Sequence, residues 1–303
     1  MDCSVVIPTS ERNPLLARVL AGLREQTVPA GSFEVLVVED GPADSAREIV
    51  EASGFRYLEQ PHAPGPAGAR NLGIEHAQGR IVLLLGDDTI PAPDLIDRHL
   101  RAHTQHPGGA VLGHIAWHPD CGVTPFMEHI GRWGGQFSFG RIRDPEACGY
   151  GFFYSSNISL EARWLALERF DERFPWATTE DIELGYRLEK RGLVVRYRAE
   201  AQVFHHHYVS RQGFGARMQR AGRCVHAFVG MHPQDPTLPG RWLPFARVPG
   251  AYGLVGYGGL LVSRLPLGPL SWYALVRAHY ALGVRRAMRD GDGISACAGD
   301  ASS

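Results

Sequence analysis

Residues 81–85, Ile-Val-Leu-Leu-Leu, run into Gly86 and then into two adjacent acids, Asp87 and Asp88. A strand this uniformly apolar is buried on both faces, so the acids fall at its carboxyl end, where open α/β sheets bind ligands. Two like charges side by side repel, and a fold that keeps them has a use for a cation between them and an anionic ligand. Gly86 leaves backbone room for that ligand. A plain turn or helix cap over Asp87-Asp88-Thr89 is the structural alternative.

The elements that would position this pair follow from hydrophobic patterning. Residues 4–8 read as a short apolar strand, and Asn13-Pro14 offers an N-cap and first-turn proline for a helix to about Gln26. Residues 33–38 are a second buried strand; Asp44 opens a helix that Gly54 closes, and residues 55–58 are a third strand. Beyond the Pro- and Gly-dense loop 61–68, a helix through Arg70, Leu72, Ile74 and Ala77 ends at Gly79, just before the apolar run. This βαβαβαβ order predicts an α/β fold with a mostly parallel sheet and helices on both faces.

After Asp88 the pattern gives a helix over about 94–105, an extended segment 110–117, and an aromatic, Gly-rich region to Tyr154. A strand at 157–160 and a helix at 178–190 follow, the latter capped by Thr178 or Thr179 with Glu180, Asp181 and Glu183 in its first turns. Strand-like segments come at 194–197 and 201–204, and from Ser210 the reading is mainly helical. The expected organisation is one domain over 1–225, a helical extension over 226–289 and a disordered tail over 290–303.

Composition sets limits. Lys plus Arg number 31 against 32 Asp plus Glu, and a net charge of -1 provides no general attraction to nucleic acid. The five cysteines, Cys3, Cys121, Cys148, Cys224 and Cys297, are odd in number and widely spaced, indicating neither a disulfide framework nor a zinc knuckle. Met1-Asp2-Cys3 runs straight into a strand with no basic, cleavable leader, so a cytoplasmic setting is expected. Residues 248–266 are rich in Gly, Leu, Val and Tyr, but their prolines, glycines and Arg264 argue against insertion and leave room for peripheral contact with the inner face of a membrane.

Five motifs occur in order: Ser4-Val5-Val6-Ile7-Pro8-Thr9, Val37-Val38-Glu39-Asp40-Gly41, Gly68-Ala69-Arg70-Asn71-Leu72-Gly73, Leu84-Leu85-Gly86-Asp87-Asp88 and Thr179-Glu180-Asp181-Ile182-Glu183-Leu184. With this order and rough spacing, residues 3–225 resemble the family 2 glycosyltransferases, inverting enzymes of GT-A fold. The resemblance implies sugar transfer from a nucleotide diphosphate to a hydroxyl, with Mn²⁺ or Mg²⁺ on the diphosphate and a carboxylate base. It assigns Asp88 to the metal, Asp87 to ribose, Arg70 to the nucleotide and Asp181 to the base.

Asp40 would accept an N-H from uracil or thymine, a bond closed to the acceptor nitrogen of cytosine, although guanine also offers N-H donors. Pro8 and Thr9 would line the same pocket with Glu11 nearby, while Ser10 stands where the family usually has an aromatic residue. Many members carry a further acid at the position of Gly86, so its absence leaves the metal site thin. The resemblance implies a histidine completing the metal shell where the run His205-His206-His207 stands; strand alternation puts His205 and His207 on one side, and His205, first after the strand, is the expected ligand. His99 and His103 stand i, i+4 with no Glu between them of the metalloprotease kind and are expected to face solvent.

Glu180 would orient the acceptor and Trp176 would provide an apolar platform for a sugar ring. A helix merely capped by Thr179, with acids suited to its dipole, explains Glu180, Asp181 and Glu183 equally well. The leading expectation is a metal-dependent inverting glycosyltransferase with a glycan, lipid-linked or small-molecule acceptor. A nucleotide-sugar-binding partner with little catalysis is the second. A dinucleotide oxidoreductase is set aside, because no Gly-x-Gly-x-x-Gly follows the first strand.

Overall fold

The computed structural model describes residues 1–10, 13–29, 31–41, 46–60, 65–235, 238 and 249–290. Glu11, expected near the donor, and Asp44, expected to open a helix, lie outside these residues, as does the tail from 291. The chain divides into two compact units, one formed by Met1–Val123, Arg141–Glu172 and Glu180–Tyr208, the other by Thr124–Gly140, Arg173–Thr179 and Val209–Ser303.

The first unit is built on strands β1 (Cys3–Thr9), β2 (Phe33–Asp40), β3 (Arg56–Gln60), β4 (Ile81–Leu85), β5 (Thr89–Pro91), β6 (Ala110–Trp117), β7 (Asn157–Glu161) and β8 (Val195–His205). They form one sheet in the order β3-β2-β1-β4-β7-β6-β8-β5. β1, β2, β3 and β4 pair in parallel, as do β6 and β8, while β7 is antiparallel to both its neighbours and β5 is antiparallel to β8. β4 is wholly buried, as its uninterrupted apolar run requires.

Helices α1 (Asn13–Arg24), α2 (Arg47–Ala52), α3 (Pro66–His76), α4 (Leu95–Gln105), α6 (Ala162–Leu167) and α7 (Glu180–Lys190) belong to this unit. α3 packs over β1, β2 and β3, and α4 over β6 and β8. A Cβ at Gly73 would lie 2.4 Å from Val6 Cγ1, so a side chain there would force α3 off the sheet. The segments 194–197 and 201–204, read separately from sequence, are one strand, with a shift in pairing between Gly113 and His114 of β6.

The second unit contains α5 (Pro125–Arg132), α8 (Arg211–Met231), α9 (Pro249–Ser263) and α10 (Pro269–Asp290). α10 packs against α8, α9 and α5, and Phe126 meets Phe214 and Trp272 edge to face. The expected boundary at 225/226 lies within α8, all of which belongs to the second unit. Among the described residues no helix is long and apolar enough to cross a membrane.

Candidate active site

Parallel pairing of β1 with β2 and β4 brings three strand ends to one edge of the sheet. The register Val6↔Leu84 carries Thr9 alongside Asp87, and the Thr9 hydroxyl donates to Asp87 Oδ2 at 2.9 Å. Thr9 also pairs with Glu39, next to Asp40, so the expected donor residues Pro8, Thr9, Asp40 and Asp87 share this edge. Both Asp40 oxygens accept the Gly65 N-H, at 2.8 and 2.9 Å, fixing the entry to α3. Burial raises the Asp40 carboxyl above its ordinary value.

Asp87 and Asp88 are both buried. Antiparallel pairing of β5 with β8 sets Thr89 opposite His205, and the Asp88 carbonyl accepts the His206 N-H at 2.7 Å. This places His205 Nε2 3.2 Å from Asp88 Oδ2, with the imidazole 5.3 Å from the Trp117 ring and stacked with His207. The two residues expected to hold a metal are therefore in contact although 117 positions apart. A Cβ at Gly86 would lie 3.1 Å from Asp88 Oδ1, so glycine keeps space for that carboxylate. A carboxylate oxygen beside an imidazole nitrogen is a donor pair that suits a divalent ion completed by phosphate oxygens. His118, Asp120 and His206 form a further cluster of ligand atoms within 4.8 Å of one another, but Arg18 already contacts His118 and Asp120 there.

At the start of α7, Asp181 Oδ1 accepts the Ile182 N-H at 2.8 Å and Oδ2 accepts the Ser155 N-H at 3.2 Å. The next residue, Ser156, has a carbonyl that accepts from Gly86 N at 3.4 Å and from the Thr89 hydroxyl at 3.4 Å. Ser155-Ser156 thus ties Asp181 to the turn that carries Asp87 and Asp88. Burial, then the adjacent Glu180 charge, pushes the Asp181 carboxyl up to about 7, with Arg70 and two backbone N-H groups opposing.

Arg70 donates to Glu180 Oε1 at 2.8 Å, a pair buried on both sides. Sequence reasoning gave Arg70 to the nucleotide and Glu180 to the acceptor; the structure brings them to each other, because a buried guanidinium and a buried carboxylate each need a counter-charge. Trp176 belongs to the second unit, where the Arg220 guanidinium lies 5.2 Å over its ring.

The expectation that His99 and His103 face solvent is overturned, as both are fully buried. His99 bonds Ser159 Oγ at 2.7 Å and Asn157 Oδ1 at 3.0 Å, and His103 bonds the same Ser159 at 2.8 Å. Burial pushes His99 down to about 3 and His103 to about 4, so both are neutral near pH 7. The polar residues Asn157 and Ser159 on the buried strand β7 are what draw them in. Ser155 and Ser156 were missed; their one signal in the sequence was a polar pair just before a strand.

Residues 4–160, more than half of the 303-residue chain, match the Glycosyl transferase family 2 model, and the chain belongs to that family. It is 32% identical over 218 residues to validoxylamine A glucosyltransferase of Streptomyces hygroscopicus subsp. limoneus, covering 63% of this chain and 48% of that protein. It is 26% identical over 244 residues to pre-mycofactocin glycosyltransferase of Mycobacterium tuberculosis, covering 78% and 49%. The chain spans about half the length of these curated relatives.

The mannosyltransferase PcManGT of Pyrobaculum calidifontis, solved with GDP-Man and Mn²⁺, superposes with a TM-score of 0.64 at 16% identity, over 96% of this chain and 88% of that one. Glucosyl-3-phosphoglycerate synthase of Mycobacterium tuberculosis, solved with Mn²⁺, UDP-glucose and glycerol 3-phosphate, does so at 0.53 and 18% identity, over 76% and 80%. At such identities the likeness establishes the fold, GT-A with a helical C-terminal region.

Proposed function

We propose that the chain is a divalent-metal-dependent, inverting glycosyltransferase that uses a uridine or thymidine diphosphate sugar. The observation that carries this is the link through Ser155-Ser156, which puts a carboxylate of raised proton affinity beside the turn bearing Asp87 and Asp88. Asp87, held by Thr9, takes the ribose hydroxyls, and Asp40 takes the base. Asp88 and His205 would hold the Mn²⁺ or Mg²⁺, which would supply positive charge to the leaving diphosphate.

Asp181 in its ionised form accepts the proton of the acceptor hydroxyl as that oxygen bonds to the anomeric carbon. The bond from that carbon to the diphosphate oxygen breaks, the diphosphate leaves with the electron pair, and attack from the opposite face inverts the centre. Arg70, paired with Glu180, limits the charge around Asp181 and keeps it a base usable near neutral pH. Relatives acting on validoxylamine A and pre-mycofactocin favour a small-molecule hydroxyl acceptor, with glycans and lipid-linked saccharides in the same class.

The test is a melting-temperature panel of UDP-, dTDP- and GDP-sugars with and without Mn²⁺. A rise with UDP- or dTDP-sugars that requires Mn²⁺ is expected. A rise confined to GDP-sugars would remove the base assignment, and no rise with any donor would remove the function.

A further inference from the structure

α9 contains no charged residue. One face of it is accounted for by α10: Tyr252 packs with Ala281 and Val284, and a Cβ at Gly256 or Gly259 would come within 2.6 Å of Leu282 or 2.9 Å of Ala278. Helical geometry puts Leu254, Tyr257 and Leu261 on the other face, and they are 78%, 58% and 65% exposed. The exposed apolar surface continues through Leu265 and Leu267 to Leu270 and Tyr273 at the start of α10. A helix that is apolar all round is ordinarily buried.

Charge on this segment is one-sided. Residues 249–290 contain Arg264, Arg277, Arg285, Arg286 and Arg289 and no Glu or Lys; their one acid, Asp290, ends α10 and pairs with Arg223, in a chain whose net charge is -1. Both exposed tyrosines carry an arginine: Arg285 donates to the Tyr257 hydroxyl at 3.2 Å and Arg277 to the Tyr273 hydroxyl at 3.1 Å, each guanidinium also lying over the ring. Arg264 is exposed beside Leu265. Leucines with tyrosines and arginines at their edge match the boundary between acyl chains and headgroups.

We propose that this face seats the chain on an anionic phospholipid surface, with the leucines in the headgroup and acyl boundary and the arginines on lipid phosphates. The 15 residues of α9 reach about 22 Å, short of the roughly 30 Å hydrocarbon core, so the helix lies in the surface plane. A second copy is a poorer occupant, because a two-fold contact through this face would set arginines against arginines.

The test is flotation of the full chain with vesicles of phosphatidylcholine alone or with phosphatidylglycerol at about one lipid in three, at physiological salt. The chain is expected to float with the mixed vesicles and not with phosphatidylcholine alone. Arg264→Gln with Arg277→Gln lowers the partition about 25-fold, at roughly five-fold per charge. Leu254→Glu with Leu261→Glu abolishes flotation, while circular dichroism reports an unchanged fold for both variants. Partition insensitive to phosphatidylglycerol or to the leucine variant overturns the proposal. So does absence of flotation, including the case of a concentration-dependent dimer that the leucine variant dissolves. None of these readouts involves sugar transfer, so the outcome is independent of the proposed activity.

Discussion

Asp181→Asn is expected to separate activity from stability. In the folded chain the carboxyl is raised from 3.8 to about 7, first by burial and then by Glu180. A carboxyl raised on folding holds its proton more tightly in the native state, so its stabilising contribution is full below the unfolded value and is lost as pH climbs through the folded one. Above pH 7 the ionised native carboxylate costs at most about 4 kcal/mol, and because Asn turns an amide NH2 toward one of the two backbone N-H groups that the carboxylate accepts, we take about 1–2 kcal/mol as recoverable. Asn keeps the shape without the charge. The variant should match the wild type in melting temperature near pH 4 and exceed it at pH 8 by roughly 4 °C. Turnover should fall about 10²- to 10⁴-fold, the usual contribution of a general base, with donor binding retained. Thermal scans at the two pH values and a nucleoside diphosphate release assay measure both effects. A melting difference that does not grow with pH would refute the raised proton affinity, and undiminished turnover would remove Asp181 as the base.

In the wild type, kcat/KM should rise with pH through about 7 as Asp181 ionises, and a profile flat from pH 5 to 9 would count against it. Glu180→Gln removes the like charge and should move that limb to lower pH; it also strips Arg70 of its buried carboxylate, at about 3 kcal/mol by urea unfolding. His205→Ala should weaken Mn²⁺ binding at least about ten-fold, read by calorimetry with UDP present, whereas unchanged affinity would take His205 out of the metal shell. Gly113→Ala would set a Cβ 2.2 Å from Asn157 Nδ2 and 2.3 Å from the Ala201 carbonyl, so it should destabilise by roughly 3 kcal/mol; a normal urea midpoint would contradict the close packing of β6, β7 and β8.

The parallel strands β1 to β4 were legible because each is a short apolar run closed by turn residues, and their carboxyl ends located Thr9, Asp40, Asp87 and Asp88. The contact of Asp88 with His205 was legible only through the resemblance, since no periodicity links residues so far apart. Insertion of β7 between β4 and β6 was not legible, because pairing order beyond consecutive strands depends on long-range contacts. His99 and His103 were misplaced for a related reason: a histidine on an amphipathic helix looks solvent-facing until the polar residues of the strand beneath it are known. The pairing of Arg70 with Glu180 was hidden likewise, as each residue alone suits a ligand. The second unit is assembled from segments 124–140, 173–179 and 209 onward, and a reading that moves along the chain draws boundaries only where composition changes.

The most direct test of the central claim is release of nucleoside diphosphate from a panel of nucleotide sugars, with Mn²⁺ or with chelator, by the wild type, Asp88→Asn and Asp181→Asn. Release by the wild type that needs the metal and is lost in both variants, with donor binding lost only in Asp88→Asn, is the predicted result. Donor binding without release or transfer across the panel would contradict it and make the chain a nucleotide-sugar-binding partner.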